Sequence, residues 1–145
     1  ISQASMSVTN QQEFQQKLDR DLSEIKKIQI EMQKLMQAKQ ALAEKKHENE
    51  LVQSEFNLMD ETAVVFKLVG PILAKQDVAE AKSNVEKRLE YLEKEIARVS
   101  TLMKDFEKKM EDKRLSIMKI QESYKKAVAM AQAQAQSPTP NQKVI

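Results

Sequence analysis

The chain has no cysteine, no tryptophan, one histidine and one glycine in 145 residues, and each scarcity removes a class of function. Without thiols there are no disulfides and no thiolate metal sites. With no thiol to join it, the lone imidazole, His47, cannot complete a Cys/His pair. The missing cysteines also suit a reducing compartment. Gly70 alone cannot build the glycine-rich loops that bring backbone amides against phosphates, since those need several positions of unusual backbone geometry. The longest apolar stretch, Ala63 to Ala74, is broken by Lys67 and falls short of the roughly 20 apolar residues that span a bilayer. No signal peptide is recognisable; Ile1 to Met6 reads as an added or processed end. The expectation is a cytoplasmic protein with no membrane partner.

What the chain does have is charge and period. Lys and Arg number 24 against 22 Asp and Glu, a net charge of +2, which gives no field to hold nucleic acid. Steps of three and four from Phe14 run through Leu18, Asp21, Ile25, Ile28, Met32, Leu35, Lys39 and Leu42. A second series runs through Val85, Leu89, Leu92, Ile96, Val99, Met103, Phe106, Met110, Lys113, Ile117, Ile120, Tyr124, Ala127 and Ala131. These are heptad seams, interrupted by charge only at Asp21, Lys39 and Lys113. Acid-to-base pairs four apart, such as Glu13 with Lys17, Glu90 with Lys94 and Glu122 with Lys126, read as solvated helix faces. After Leu42 the polar Lys46 and Asn49 predict a phase shift of the first seam toward Leu51, Val52 and Phe56.

Between the seams the pattern changes to branched and aromatic residues. Val64, Val65, Phe66, Leu68 and Val69 precede Gly70 and Pro71, and Ile72 and Leu73 follow, which predicts a β-hairpin over 62–76 turning at Gly70. Asp77 and Glu80 predict a capping box at the next helix. The resulting plan is a flexible arm over 1–12, a helix over 13–58, the hairpin, a helix over 77–136 and a disordered tail over 137–145. It is an all-α-dominated fold: a long antiparallel two-helix coiled coil joined by one β-hairpin. Folding at Gly70 sets Leu42 level with Ile96 and Phe14 near Tyr124. The second helix then overhangs the first by about 10 residues, and both termini lie at one tip.

A two-stranded sheet is marginal in water, and this one carries Val64, Phe66 and Leu68 on one face and Val65 and Val69 on the other. Either it folds down on its own helices or hairpins of other chains complete a larger sheet or barrel. Large apolar residues off the seams, among them Leu22, Leu102, Leu115, Met118, Val128 and Met130, gather in the half away from the hairpin. They mark either a binding surface or packing against a further helix. His47, among Glu44, Lys45, Lys46, Glu48 and Asn49, reads as solvent-facing. Carboxylates on charged helix faces, such as Glu107 and Glu111, lack the burial that tunes an acid or base. No catalytic, cofactor or metal site is expected, and the chain reads as no enzyme.

The string from Val64 to Gln76, followed by Glu80, Ala81 and then Lys87, Arg88, Leu89, Glu90 and Tyr91, resembles the β-class prefoldin subunits, most of all the eukaryotic subunit 6 group. Leu58, Met59 and Asp60 resemble that family's helix exit. Ala74 departs from it, standing where a larger branched residue is expected. The resemblance implies an ATP-independent heterohexameric chaperone in which this chain joins two α-class and three further β-class subunits through barrel-forming hairpins. It implies capture of unfolded actin, tubulin and other clients at the coiled-coil tips and transfer to the cytosolic chaperonin. The assembly residues would be Val64, Val65, Phe66, Leu68, Val69, Gly70, Pro71, Ile72 and Leu73. The client residues would be Phe14, Leu18, Leu22, Leu115, Met118, Ile120, Tyr124 and Val128. Lys45, Lys46, Lys125 and Lys126 are candidates for acidic elements of the chaperonin. The alternative function is a structural coiled-coil adaptor or spacer with a fixed folded partner.

Overall fold

The computed structural model describes residues 2–60 and 62–136, with side chains from residue 10 onward. Helix α1 covers Ser2–Leu58, strands β1 and β2 cover Val65–Val69 and Ile72–Gln76, and helix α2 covers Val78–Gln136. The expected tail over 137–145 lies outside the described residues. The two helices and single antiparallel hairpin are the elements that the heptads and the branched run foretold. One boundary differs. Helix α1 starts ahead of residue 13, so residues 10–12 are helical and not part of an arm. Asn10, Gln11 and Gln12 include neither glycine nor proline to stop the helix.

The chain forms two compact units, one of Glu31–Phe106 and the other of the described residues up to Ile30 and from Glu107. In the first unit the hairpin pairs Val69 with Ile72 across a two-residue loop, and the register continues to Val65 opposite Gln76. Gly70 has φ of 59°, and the proline ring holds the next residue at negative φ, the pattern of a type II′ turn, whose twist suits a hairpin. Val65 packs on a core of Phe56, Ala81, Val85 and Leu89. Leu92 and Val99 extend the buried face along α2. Val64, expected within the hairpin, precedes β1 and takes no part in the ladder.

The first seam does not shift phase. The covered positions of α1 after Leu42 are Lys46, Asn49, Gln53 and Phe56, whereas Leu51 and Val52 are exposed. The three-four spacing therefore runs unbroken to Phe56 through polar residues. Each of two has a local partner: Lys46 Nζ lies 3.7 Å from Glu50 and 3.8 Å from Glu93, and Asn49 Nδ2 donates to the Lys45 carbonyl at 2.8 Å. Long polar stems cover the apolar face that α2 presents here.

At the start of α2, the Asp77 carbonyl accepts from Ala81 N at 2.9 Å, which places Asp77 at the N-cap. Among the described residues no side-chain bond of Asp77 or Glu80 completes the expected capping box. At the exit of α1, Asp60 Oδ1 accepts from Thr62 N at 2.9 Å and from its hydroxyl at 2.6 Å, a local turn that redirects the chain toward β1.

In the second unit, Phe14 and Tyr124 stack, at the level expected from a fold point at Gly70. With α1 reaching back to Ser2, the expected overhang of α2 disappears, because the missing partner residues are helical after all. Exposed ion pairs on single helices close three apart in Glu31 with Lys34, Glu95 with Arg98 and Glu111 with Arg114, and four apart in Lys46 with Glu50. Such pairs on mobile, solvated side chains are each worth little.

Candidate functional site

Two surfaces collect the residues singled out by the sequence, one in each unit. The hairpin surface is set by strand alternation. Val65, Lys67 and Val69 share one face with Ile72, Ala74 and Gln76, and Phe66 and Leu68 share the other with Leu73 and Lys75. The Val65 end of the first face rests on the helices. The rest is open: Phe66, Leu68, Val69, Ile72 and Leu73 are between 56% and 68% exposed, and Val64 is 53% exposed. Leu58, at the end of α1, is 87% exposed beside the same core. Five large apolar side chains on ten strand residues cannot be scatter, and both outer strand edges carry unpaired amides and carbonyls. Lys67, Gln76, Asn84 and Arg88 rim a cavity of about 150 Å³ floored by Phe56 and Val85.

In the second unit the eight expected client residues divide. Phe14, Leu18, Ile120 and Tyr124 lie in the seam and are half-buried, as is Val128. Leu22, Leu115 and Met118 are 44%, 47% and 57% exposed. Leu115 and Met118 are three apart, so they share the face of α2 turned away from the seam. Beside the Phe14–Tyr124 stack, Glu13, Lys17, Lys119 and Ala127 border an open groove of about 290 Å³. The unit thus presents apolar side chains at three degrees of cover, from freely accessible Met118 to seam residues that a partner reaches only by loosening the helices. Of the lysines considered for a chaperonin, Lys45, Lys125 and Lys126 are exposed, but Lys46 is half-buried and turned to Glu50 and Glu93.

The same unit holds a polar cluster that the sequence reading recorded only as separate seam exceptions. Asp21, buried to 7% exposure, accepts from the Ser116 hydroxyl at 2.6 Å and from Lys113 Nζ at 3.4 Å. Lys113 also pairs with Glu24. The Glu24 carboxylate, helped by Asp21, holds the Lys113 ammonium above the usual lysine range. Counting from Gly70 sets Asp21 nearer the level of Ser116 than of Lys113, so the long lysine side chain reaches back along the seam to meet it.

Among the described residues no helix is long and apolar enough to cross a membrane. No group of three His, Asp or Glu could hold a metal ion there.

Comparison with known proteins gives a consistent result. A family model described as Prefoldin subunit matches residues 2–124. Over 117 residues the chain is 40% identical to prefoldin subunit 6 of Arabidopsis thaliana, covering 81% of this chain and 91% of that protein. Over 116 residues it is 36% identical to prefoldin subunit 6 of Homo sapiens, covering 80% and 90%. In structure it is similar to the prefoldin beta subunit from Thermococcus strain KS-1, with a TM-score of 0.67 over 70% of this chain and 90% of that one, at 22% identity.

Proposed function

The chain belongs to the prefoldin family, whose members are non-enzymatic chaperone subunits that assemble with other prefoldin subunits, and from that premise we propose how this one works. Its hairpin enters a β-barrel built with two α-class and three further β-class chains. The helical unit of Phe14, Leu22, Leu115, Met118 and Tyr124 holds exposed apolar segments of unfolded clients, actin and tubulin among them. The complex works in the cytosol without ATP and passes the client to the chaperonin.

The observation that carries the reading is the open hairpin: Phe66, Leu68, Val69, Ile72 and Leu73 stay more than half exposed on a two-stranded sheet. In water such a sheet needs neighbours. The client half of the proposal rests on Leu115 and Met118, apolar side chains outside the seam, where burial within the helix pair gives no reason for them. Met is suited to partners of varied shape.

The test is suppression of aggregation of a chemically unfolded protein by the assembled complex. Replacing Leu115, Met118 and Val128 by Ser is expected to weaken suppression while leaving the complex intact. Unchanged suppression would place the client surface elsewhere. An assembly that binds a native partner and ignores unfolded chains would instead be a coiled-coil adaptor.

A further inference from the structure

The seams in the second unit are apolar except at Asp21 on α1 and Lys113 on α2, and these two meet. Carboxylate and ammonium at a helix interface lose hydration that a pair only partly restores, so the arrangement is poor value as a source of stability. Here it is fully satisfied: Ser116 donates to Asp21 Oδ2, Lys113 reaches Asp21 Oδ1, and Glu24 takes the other side of Lys113. Among the described residues no buried side-chain nitrogen or oxygen lacks a partner.

The consequence shows when the helices are slid against each other. Heptad seams look alike after a shift of seven residues, so Leu, Ile and Met positions alone tolerate such a slip. Moving one heptad in one direction puts Ile120 in the place of Lys113 beside Asp21, and Ile28, a buried residue, in the place of Asp21 beside Lys113. In the other direction Lys113 arrives at Phe14. Either slip parts Asp21 from Lys113 and sets each against an apolar side chain; the first leaves Asp21 a hydroxyl at Ser123 and Lys113 a carboxylate at Glu31, and the second brings Lys113 to Lys17 in place of Glu24. Elsewhere in this unit the Phe14–Tyr124 stack also marks the observed register, since the first slip sets Phe14 against Ala131, whereas the aliphatic seam positions offer little to choose.

We propose that the Asp21–Ser116–Lys113–Glu24 cluster fixes the alignment of α1 and α2 in this unit, selecting one register at a cost in stability. The alignment decides which apolar residues stand together, including Phe14 beside Tyr124.

The chain's lack of cysteine makes a direct test simple. A disulfide needs its Cα atoms about 4.4–6.8 Å apart, and one heptad displaces a helix by roughly 10 Å, so a given cysteine pair reports one register. Leu18→Cys with Ile120→Cys reports the observed alignment. Leu18→Cys with Ala127→Cys reports a slip of seven. Each pair is placed in the full chain, assembled with the other prefoldin subunits, once with the cluster intact and once with Asp21→Leu and Lys113→Leu. With the cluster intact only the first pair is expected to oxidise readily. In the leucine variant the second pair is expected to gain cross-linking while the melting temperature holds or rises. Native cross-linking alone in the leucine variant would overturn the proposal. If that variant loses helix by circular dichroism, Asp21→Ala with Ser116→Ala decides by the same criterion.

Discussion

Phe14 and Tyr124 stack with ring centroids 4.1 Å apart and planes 19° from parallel, and the Tyr124 hydroxyl accepts from Gln11 Nε2 at 3.3 Å. An aromatic pair of this kind adds about 0.5–1.5 kcal/mol beyond the area it buries. After it the α2 seam continues with Ala127 and Ala131, both exposed, so among the described side chains the stack is the large apolar seam contact nearest this end. Tyr124→Ala is therefore expected to speed amide exchange in residues 10–20 and 117–130 without touching the hairpin. Tyr124→Phe keeps the stack and is expected to change exchange little. Equal effects of the two would mean that the hydroxyl, not the ring, holds this end.

Phe56 is 8% exposed and is the largest side chain of the core on which Val65 rests. Phe56→Ala is expected to lower stability by about 3–5 kcal/mol, the usual cost of emptying a buried aromatic site. The loss is to be read from chemical denaturation of the assembled complex. A loss under about 1 kcal/mol would show that the site collapses around the truncation.

Gly70 has room for a side chain, since a Cβ there meets nothing within 4 Å, but its φ is +59°. Gly70→Ala is thus a test of backbone conformation alone, expected to cost about 1–2 kcal/mol from left-handed strain. Thermal unfolding checks it. Gly70→Asn is expected to cost less, because asparagine enters that region more readily.

Lys113 supplies a pH dependence with a definite sign. Its bond to Glu24, with the field of Glu24 and Asp21, raises its folded pKa above the ordinary 10.5. A group raised on folding gives its stability in full below the unfolded value and loses it as pH climbs through the folded one. The stability difference between the parent and Lys113→Met is expected to be flat from neutral pH up to 10.5 and to shrink above it. A difference that vanishes on the acid side of neutrality instead would assign the effect to carboxylates.

The elements were legible because their signals are local: period in the helices, branched residues and Gly70-Pro71 in the hairpin. Counting from Gly70 also set Phe14 against Tyr124. The unbroken seam through Lys46, Asn49 and Gln53 was not legible, since polar residues at seam positions look like surface until their stems are seen covering α2. Nor was the Asp21–Lys113 meeting, because each charge was read on its own helix and their pairing is a tertiary fact. The uneven exposure of the client candidates follows from angle around the helix: Leu115 and Met118 fall on the back of α2, and Ile120 and Tyr124 do not.

The most direct test of the hairpin's role is the native mass and subunit content of the complex recovered with this chain, compared with that recovered with Leu68→Ser and Leu73→Ser. These two residues pair across the hairpin on its open face, so the change removes apolar surface without disturbing the helices. The expected result is a complex of six comparable but different chains for the parent, and loss of the substituted chain from it with helix content unchanged. A parent recovered as a homodimer or with one fixed partner, or a substituted chain that still enters the six-chain complex normally, would contradict assembly through the hairpin.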